Sequence, residues 1–417
     1  MTFSFGFKRL LHEEPDYRQL FMAGLVNGIG DRFSQVAMLA LILGTTGSGL
    51  AVGLALGLRV FPFLLLAPLG GVLTLHFSRR TIMIVTNLLR VPVALSFLFV
   101  HQADDLWILY TASTLLACAE ALYAPVRKSG IPLLVRSEHL HQINGLEQVM
   151  NGSVLIVGAF VGGIVSAALG PQAAFATNAL AFLIAAALIR KISFPPLGTE
   201  QVDESVVKQP GHAPKRKSKG GARLLWQFIC SSVPLQILIA FELWVPVING
   251  IDNVLISVYA IEVFKLGDWG VGLFYAALGI GLVLSSWGSR YLQQWLLPGV
   301  IACLLIEGCL LMLLSETRFA SVAVLMYILL AFTSGMGNTC LDTLLMRETP
   351  EKYRGIVYGL VTACSSTMLG LSMFGAGILL EVMEPRRLGF AGGLGFAWIA
   401  LLLATYAWIR RGAFKRS

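Results

Sequence analysis

Apolar runs recur along the whole chain, each about 18 to 25 residues long, the length a helix needs to cross a ~30 Å hydrocarbon layer. They fall near 19–43, 50–74, 81–100, 105–124, 144–168, 171–190, 236–262, 268–288, 296–314, 319–342, 356–380 and 390–409. Between the sixth and the seventh lies a polar stretch at 191–222, which contains Pro and Gly and closes on the basic run Lys215 to Lys219. That composition reads as a flexible linker. The pattern therefore predicts an all-α membrane protein of twelve transmembrane helices, with six in residues 1–190, a linker at 191–222 and six in residues 223–417.

Composition agrees with a bilayer as the solvent. Of 417 residues, 56% are hydrophobic and 13% charged, where an ordinary soluble domain carries about 25% charged. The formal charge of +8 raises the question of nucleic acid, and the placement of the basic residues answers it. Lys8, Arg9, Arg79, Arg80, Arg127, Lys128, Arg136, Arg290, Arg347, Lys352, Arg354, Arg410, Arg411, Lys415 and Arg416 fall at the two ends and in the even-numbered connections, together with the linker. The odd connections hold only Lys265, Arg318, Arg386 and Arg387. By the positive-inside rule, both termini are expected on the cytoplasmic side. The basic excess is topology, and no nucleic-acid partner is expected. The first span is expected to act as its own insertion signal, since no cleavable leader pattern precedes it.

The six-and-six division prompts a search for internal repetition. Asn27-Gly28-Ile29 precedes Gly30-Asp31 in the first span, and Asn249-Gly250-Ile251 precedes Asp252-Asn253 in the seventh, at matching depth. Two parallel halves of this kind are one plan for transporters, with the substrate path at their interface.

Several connections carry a family pattern. Gly71-Val72-Leu73-Thr74-Leu75-His76-Phe77-Ser78-Arg79-Arg80 resembles the signature loop of the major facilitator superfamily, G-x-L-a-D-r-x-d-R-r. Tyr123-Ala124-Pro125-Val126-Arg127, Ile131-Pro132, Asn144-Gly145-Leu146 and Thr349-Pro350-Glu351-Lys352-Tyr353-Arg354-Gly355 resemble the macrolide-efflux-like branch of drug:proton antiporters. Tyr123, Pro125, Gly130 and Asn144-Gly145-Leu146-Glu147 are also similar to lysophospholipid transporters. The resemblance implies two pseudo-symmetric six-helix bundles in a bacterial cytoplasmic membrane, working as a monomer on a small-molecule or lipid substrate, with protons as the coupling ion. It marks Gly71, Arg79, Arg80, Glu120, Glu147, Arg127, Gly158 and Gly162 as gating or signature-loop residues. Leu75 and Ser78 stand where the pattern has aspartates, and Ala159 where the antiporter pattern has proline.

Ionisable residues inside spans are the functional candidates, because a charge at mid-bilayer costs from ~3 kcal/mol upward unless it faces a cavity or a partner. Asp31, Arg59 and Arg90 fall at similar depth in the first three spans. Asp31 can be a coupling carboxylate or a fixed ion pair with Arg32, Arg59 or Arg90; the two arginines can brace the bundle or bind an anionic substrate group. Asp252, Asn253 and Asn249 are the counterparts of Asp31 and Asn27 in the second half. Glu307 is expected in a peripheral, structural position, Glu242 and Asp342 at a solvated edge, and Glu120 and Glu147 in salt bridges near Arg127 and Lys128. Gly158 with Gly162, and Gly355 with Gly359, give GxxxG faces for close helix packing. Phe61, Phe63, Trp244, Phe274 and Tyr275 can face either a cavity or lipid.

The chain lacks GxxxxGK[ST], HExxH and CxxC, so no ATP site, metal, cofactor or catalytic chemistry is expected. Its six cysteines lie in or beside apolar spans, and its six histidines in connections or at edges. The expected function is a secondary transporter, foremost a proton-linked exporter of amphipathic or hydrophobic molecules. A lysophospholipid translocator, a ferroportin-type metal exporter suggested by Gly30-Asp31-Arg32, and a non-transporting scaffold are the alternatives.

Overall fold

The computed structural model describes residues 9–46, 49–100, 105–195 and 232–410. Most of the linker, with Cys230, His101, His212, Lys8, Arg411, Lys415 and Arg416, lies outside these residues. The described chain is built from long helices: α1 (Pro15–Thr46), α2 (Gly49–Leu73), α3 (Arg79–Ser96), α4 (Leu106–Leu134), α5 (Leu140–Leu169), α6 (Pro171–Arg190), α7 (Val233–Val258), α8 (Gly267–Gly288), α9 (Leu296–Glu316), α10 (Ala320–Glu348), α11 (Glu351–Leu380) and α12 (Pro385–Ile409). Among the described residues, nine helical segments are long and apolar enough to cross a membrane. Large apolar side chains such as Leu89, Phe374 and Val382 are exposed on the outside. In water that surface would be a liability; against lipid it is the required one. The chain is an integral, multi-pass membrane protein.

Local chemistry sets where several helices begin. Ser78 caps α3, its hydroxyl accepting from the Thr81 amide at 3.1 Å. Serine caps about as well as aspartate, so the altered signature loop keeps its cap while losing a charge. Ser232 does the same for α7, and Pro171 and Pro385 occupy first-turn positions that need no amide donor. A π-turn at Tyr259–Val263 ends α7, and Lys265 and Gly267 then adopt positive φ (55° and 65°) to turn the chain into α8. The fourth helix exceeds its apolar window by ten residues, running through Pro125 and Pro132 to Leu134.

Packing repeats across the chain. In the first half α1 packs on α5 and α6, α2 on α4, and α3 on α4 and α6; in the second, α7 packs on α11 and α12, α8 on α10, and α9 on α10 and α12. Adding six to each helix number converts one set into the other. Contacts between the halves also pair up, α2 with α11 and α5 with α8, then α4 with α11 and α5 with α10. Both main crossings are made by glycine. A Cβ on Gly71 would collide with the Gly355 carbonyl, one on Gly355 with the Thr74 hydroxyl, and one on Gly152 with the Gly279 carbonyl. Gly359 lies against Ala67 and Pro68 in the same α2–α11 crossing, whereas Gly158 lies against Arg32 inside the first half.

The α2–α11 crossing yields a prediction. Gly71→Val has no room without separating the helices, and overpacking of this kind costs about 1–3 kcal/mol. At Gly375, in the same α11, an added methyl would meet nothing within 4 Å, and alanine is the better helix former. Thermal melting of the purified protein should drop clearly for Gly71→Val and stay level or rise for Gly375→Ala.

Candidate functional site

Two charged groups of different character face the middle of the molecule. The first is closed on itself. Arg90 of α3 is 1% exposed and donates from Nη2 to Glu120 Oε2 of α4 at 2.5 Å. Its guanidinium also stacks over the rings of Tyr123 and Phe182, 5.2 and 5.3 Å from their centroids. Such a pair gains from ion pairing and from cation–π attraction together. Asp31 of α1, half-buried, lies within electrostatic reach of Arg90, Glu120 and Arg59 of α2. Asn27, one turn before Asp31, donates to Asn87 at 2.9 Å.

The sequence expectation that Asp31, Arg59 and Arg90 converge thus matches the geometry. Glu120 is corrected: it belongs to this inner cluster rather than beside Arg127 and Lys128. Seven residues separate Glu120 from Arg127, which is about 10 Å along a helix at ~1.5 Å per residue.

The second group lines a cavity of about 370 Å³ between the halves. Asp252, Asn249 and Asn253 of α7, Glu307 of α9, Ser334 and Asn338 of α10, and Gln148 and Asn151 of α5 supply its polar wall. Leu278, Leu282, Leu330 and Phe396 supply apolar surface. Asn253 donates back to the Asn249 carbonyl at 3.0 Å, while Asp252 Oδ1 is buried without a hydrogen-bond partner. Glu307 is the second correction. Its carboxylate is 6% exposed and sits in the cavity wall beside Ser334 and Asp252, because α9 turns that residue inward toward α10.

An adjoining cavity of about 220 Å³ shares Gln148, Asn151 and Asn338 with the first and adds Arg127, Lys128, Glu147, Glu242 and Asp342. Here the halves are tied together. Lys128 of α4 meets Asp342 of α10 at 3.2 Å. Asn144 donates to Thr343 at 3.0 Å, and His141 Nε2 donates to the Ser289 carbonyl at 2.6 Å. Within the first half, Arg127 grips Glu147 through two hydrogen bonds of 2.6 and 2.9 Å, and the Tyr17 hydroxyl donates to the same carboxylate at 2.7 Å. Asp342 is therefore a buried ion-pair partner, not a solvated edge residue, and Glu242 is half-buried, accepts from Ser365 and lies within electrostatic reach of Lys128.

Arg79 is half-buried at the start of α3, near Glu351 and Arg354 of the other half, and Arg80 donates to the Arg190 carbonyl. Gly162 falls on α5, outside the described side chains. Of the candidate aromatics, Phe61 and Trp244 face outward and Phe274 packs in the core against Tyr327. Sequence reasoning quoted Asn144 only as part of a family pattern, and it missed His141, Thr343, Asn151, Ser334 and Asn338. Polar residues on one face of otherwise apolar α5 and α10 were the available signal.

Comparison with known proteins places this arrangement. The family model described as Major Facilitator Superfamily matches residues 20–373. An uncharacterized MFS-type transporter, YfiS of Bacillus subtilis, is 23% identical over 90% of this chain and 89% of its own. The enterobactin exporter EntS of Salmonella typhimurium is 23% identical over 94% and 92%. Macrolide efflux protein A of Streptococcus pyogenes is 25% identical over 46% and 49%. Among solved structures, a bacterial homologue of the iron transporter ferroportin in an outward-facing state superimposes with a TM-score of 0.69, at 18% identity over 94% of this chain and 99% of that one. That likeness is one of fold.

The charge geometry makes two predictions. Glu120→Gln removes the ion-pair partner of the buried Arg90, whose charge Asp31 still answers in part, so the loss should fall below the ~3–5 kcal/mol of a fully buried pair; the double change Arg90→Met with Glu120→Leu should be milder in thermal melts. At the tie between halves, Lys128→Asp and Asp342→Lys should each lower the melting temperature, and the double reversal should recover part of the loss in a double-mutant cycle.

Proposed function

The chain belongs to the Major Facilitator Superfamily, a family of transporters rather than enzymes, and we propose that it exports amphipathic or hydrophobic small molecules in exchange for protons. The observation that carries this reading is the cavity between the halves, with Asp252 and Glu307 in a wall that also offers leucine and phenylalanine surface. A concave site of this size that combines apolar surface with fixed polar groups suits a small molecule, and here polar and apolar residues line it in equal number. The names of two relatives, an enterobactin exporter and a macrolide efflux protein, favour outward movement.

In this reading the chain forms twelve spans in two bundles, 1–190 and 223–417, joined by the linker 191–222. Both ends face the cytoplasm of a bacterial cell, as the alternating Lys and Arg placement favours, and a single copy suffices. The end that carries the signature loop and the Lys128–Asp342 pair is then the cytoplasmic gate. The bundles rock about the central cavity, with Gly71, Gly355, Gly152 and Gly279 at the pivoting contacts. Asp31 is the coupling carboxylate. Arg90 and Arg59 both lie within reach of Asp31, so protonation of Asp31 alters the charge balance of α1 against α2 and α3.

The lysophospholipid reading loses support from this geometry, since Arg90 is 1% exposed and already ion-paired with Glu120. The test is reconstitution in liposomes with a fluorescent amphiphile inside or outside, with and without an imposed pH gradient. Accumulation against the dye gradient should require the pH gradient, and Asp31→Asn should lose that uphill component while keeping downhill movement. Gradient-independent lysolipid transfer, without dye transport, would overturn the exporter. Normal uphill transport by Asp31→Asn at all pH values would remove Asp31 from coupling.

A further inference from the structure

The two halves differ in charge. In the first half, arginines answer the carboxylates away from the cavity: Arg90 and Arg59 lie within reach of Asp31 and Glu120, while the first-half wall of the cavity itself is Gln148, Asn151 and Leu155. On the second-half side nothing basic does so. Among the described residues, neither Asp252 nor Glu307 forms an ion pair with a Lys, Arg or His, and the polar wall around them consists of Asn249, Asn253, Asn338 and Ser334. The nearby arginines lie outside the cavity lining: Arg386 donates to the Ser315 and Thr317 carbonyls at 2.7 and 2.5 Å, and Arg32, near Tyr275, donates to Gln35 at 3.1 Å.

A second, independent feature surrounds the same carboxylate. Tyr259, Tyr275 and Tyr327, from the π-turn, α8 and α10, all lie within electrostatic reach of Asp252. The Tyr327 side chain is fully buried, yet its hydroxyl has no hydrogen-bond partner. Phe396 of α12 adds a ring to the cavity wall itself. Aromatic faces carry negative electrostatic potential and attract cations, most strongly where water is excluded. Two carboxylates without an ion-pair partner among the described residues, with the Phe396 ring in the same wall, form an environment that an anion would find repulsive and a neutral molecule would leave unbalanced.

We propose that this half of the cavity binds the cationic head of the cargo, a quaternary or protonated ammonium or an equivalent organic cation, between Asp252 and Glu307, with the cargo's apolar body along Leu278, Leu282 and Leu330. The assignment rests on the export reading and names its substrate class. Direct readout of charge selectivity is available from a matched pair of probes, tetraphenylphosphonium and tetraphenylborate, which share shape and hydrophobicity and differ in sign. Neither probe titrates, so any pH dependence of their binding comes from the protein.

The experiment measures equilibrium binding of both probes to the full-length protein in nanodiscs, and their movement in liposomes alongside an uncharged amphipathic dye. The phosphonium should bind saturably and the borate should not. Asp252→Asn with Glu307→Gln should weaken phosphonium binding at least tenfold, with an unchanged elution profile and melting temperature; if the double variant fails to fold, Glu307→Gln alone should still weaken it several-fold. Borate binding equal to or tighter than phosphonium binding, or phosphonium binding indifferent to both substitutions, overturns the proposal. Movement of the uncharged dye without phosphonium binding defeats the cation site and leaves the exporter standing. Phosphonium binding that depends on Asp252 and Glu307, with no probe transported, keeps the site and defeats the exporter.

Discussion

Hydrocarbon offers no hydrogen bonds, so each ionised side chain that this sequence places within its helices must find a partner inside the protein or face a cavity. Most of the chain's interior charges meet that demand locally. Arg90 has Glu120 and two aromatic faces, Arg127 has Glu147, and Lys128 has Asp342. The Arg127–Glu147 pairing also fixes the rotation of α4 against α5, because a guanidinium held by two hydrogen bonds tolerates little twist. The helix arrangement and the charge arrangement are therefore one solution to one problem. Asp252 and Glu307 stand apart because their solution is a cavity.

The repeated packing gives that cavity its position. Helices one, two, four and five of each half face the partner half or the centre, and the third and sixth close the outside, in the same pairings on both sides. The two halves have nevertheless diverged in chemistry. Asp31 and Asp252 occupy equivalent places in the repeat, but the first is enclosed by arginines and the second by neutral polar groups. Equivalent backbone has been given an internally balanced site on one side and an unbalanced one on the other.

Much of this was readable in the sequence. Apolar windows located every long helix, since span length is dictated by bilayer thickness, and the convergence of Asp31, Arg59 and Arg90 followed from equal depth. The errors share a cause. A hydropathy window ends at Arg127 and Lys128, so it cut α4 ten residues short and made Glu120 look like an edge residue, although both basic side chains are paired and the helix continues. Glu307 was misplaced because depth is legible in a sequence and rotational phase is not, when a helix is apolar on nearly all faces. Gly158-x-x-x-Gly162 stood out as a motif, whereas the crossing of Gly152 with Gly279 joins residues 127 positions apart and leaves no local trace.

The tie between the halves has an energetic meaning for motion. Arg127, Glu147 and Tyr17 all belong to the first half, so they travel together and survive any rocking of one half on the other. Among the described residues, parting the halves at this end breaks one ion pair and four buried side-chain hydrogen bonds, two of them long, and the Lys128 side chain is already 45% exposed. A half-solvated pair contributes at most about 1 kcal/mol and each neutral hydrogen bond about the same net amount. The sum is a few kcal/mol, the scale on which a bound solute or a single proton can reverse the preference. Polar fastening this light leaves the glycine crossings of α2 with α11 and α5 with α8 to hold the halves in register, with most of the ionic stiffness kept inside each half.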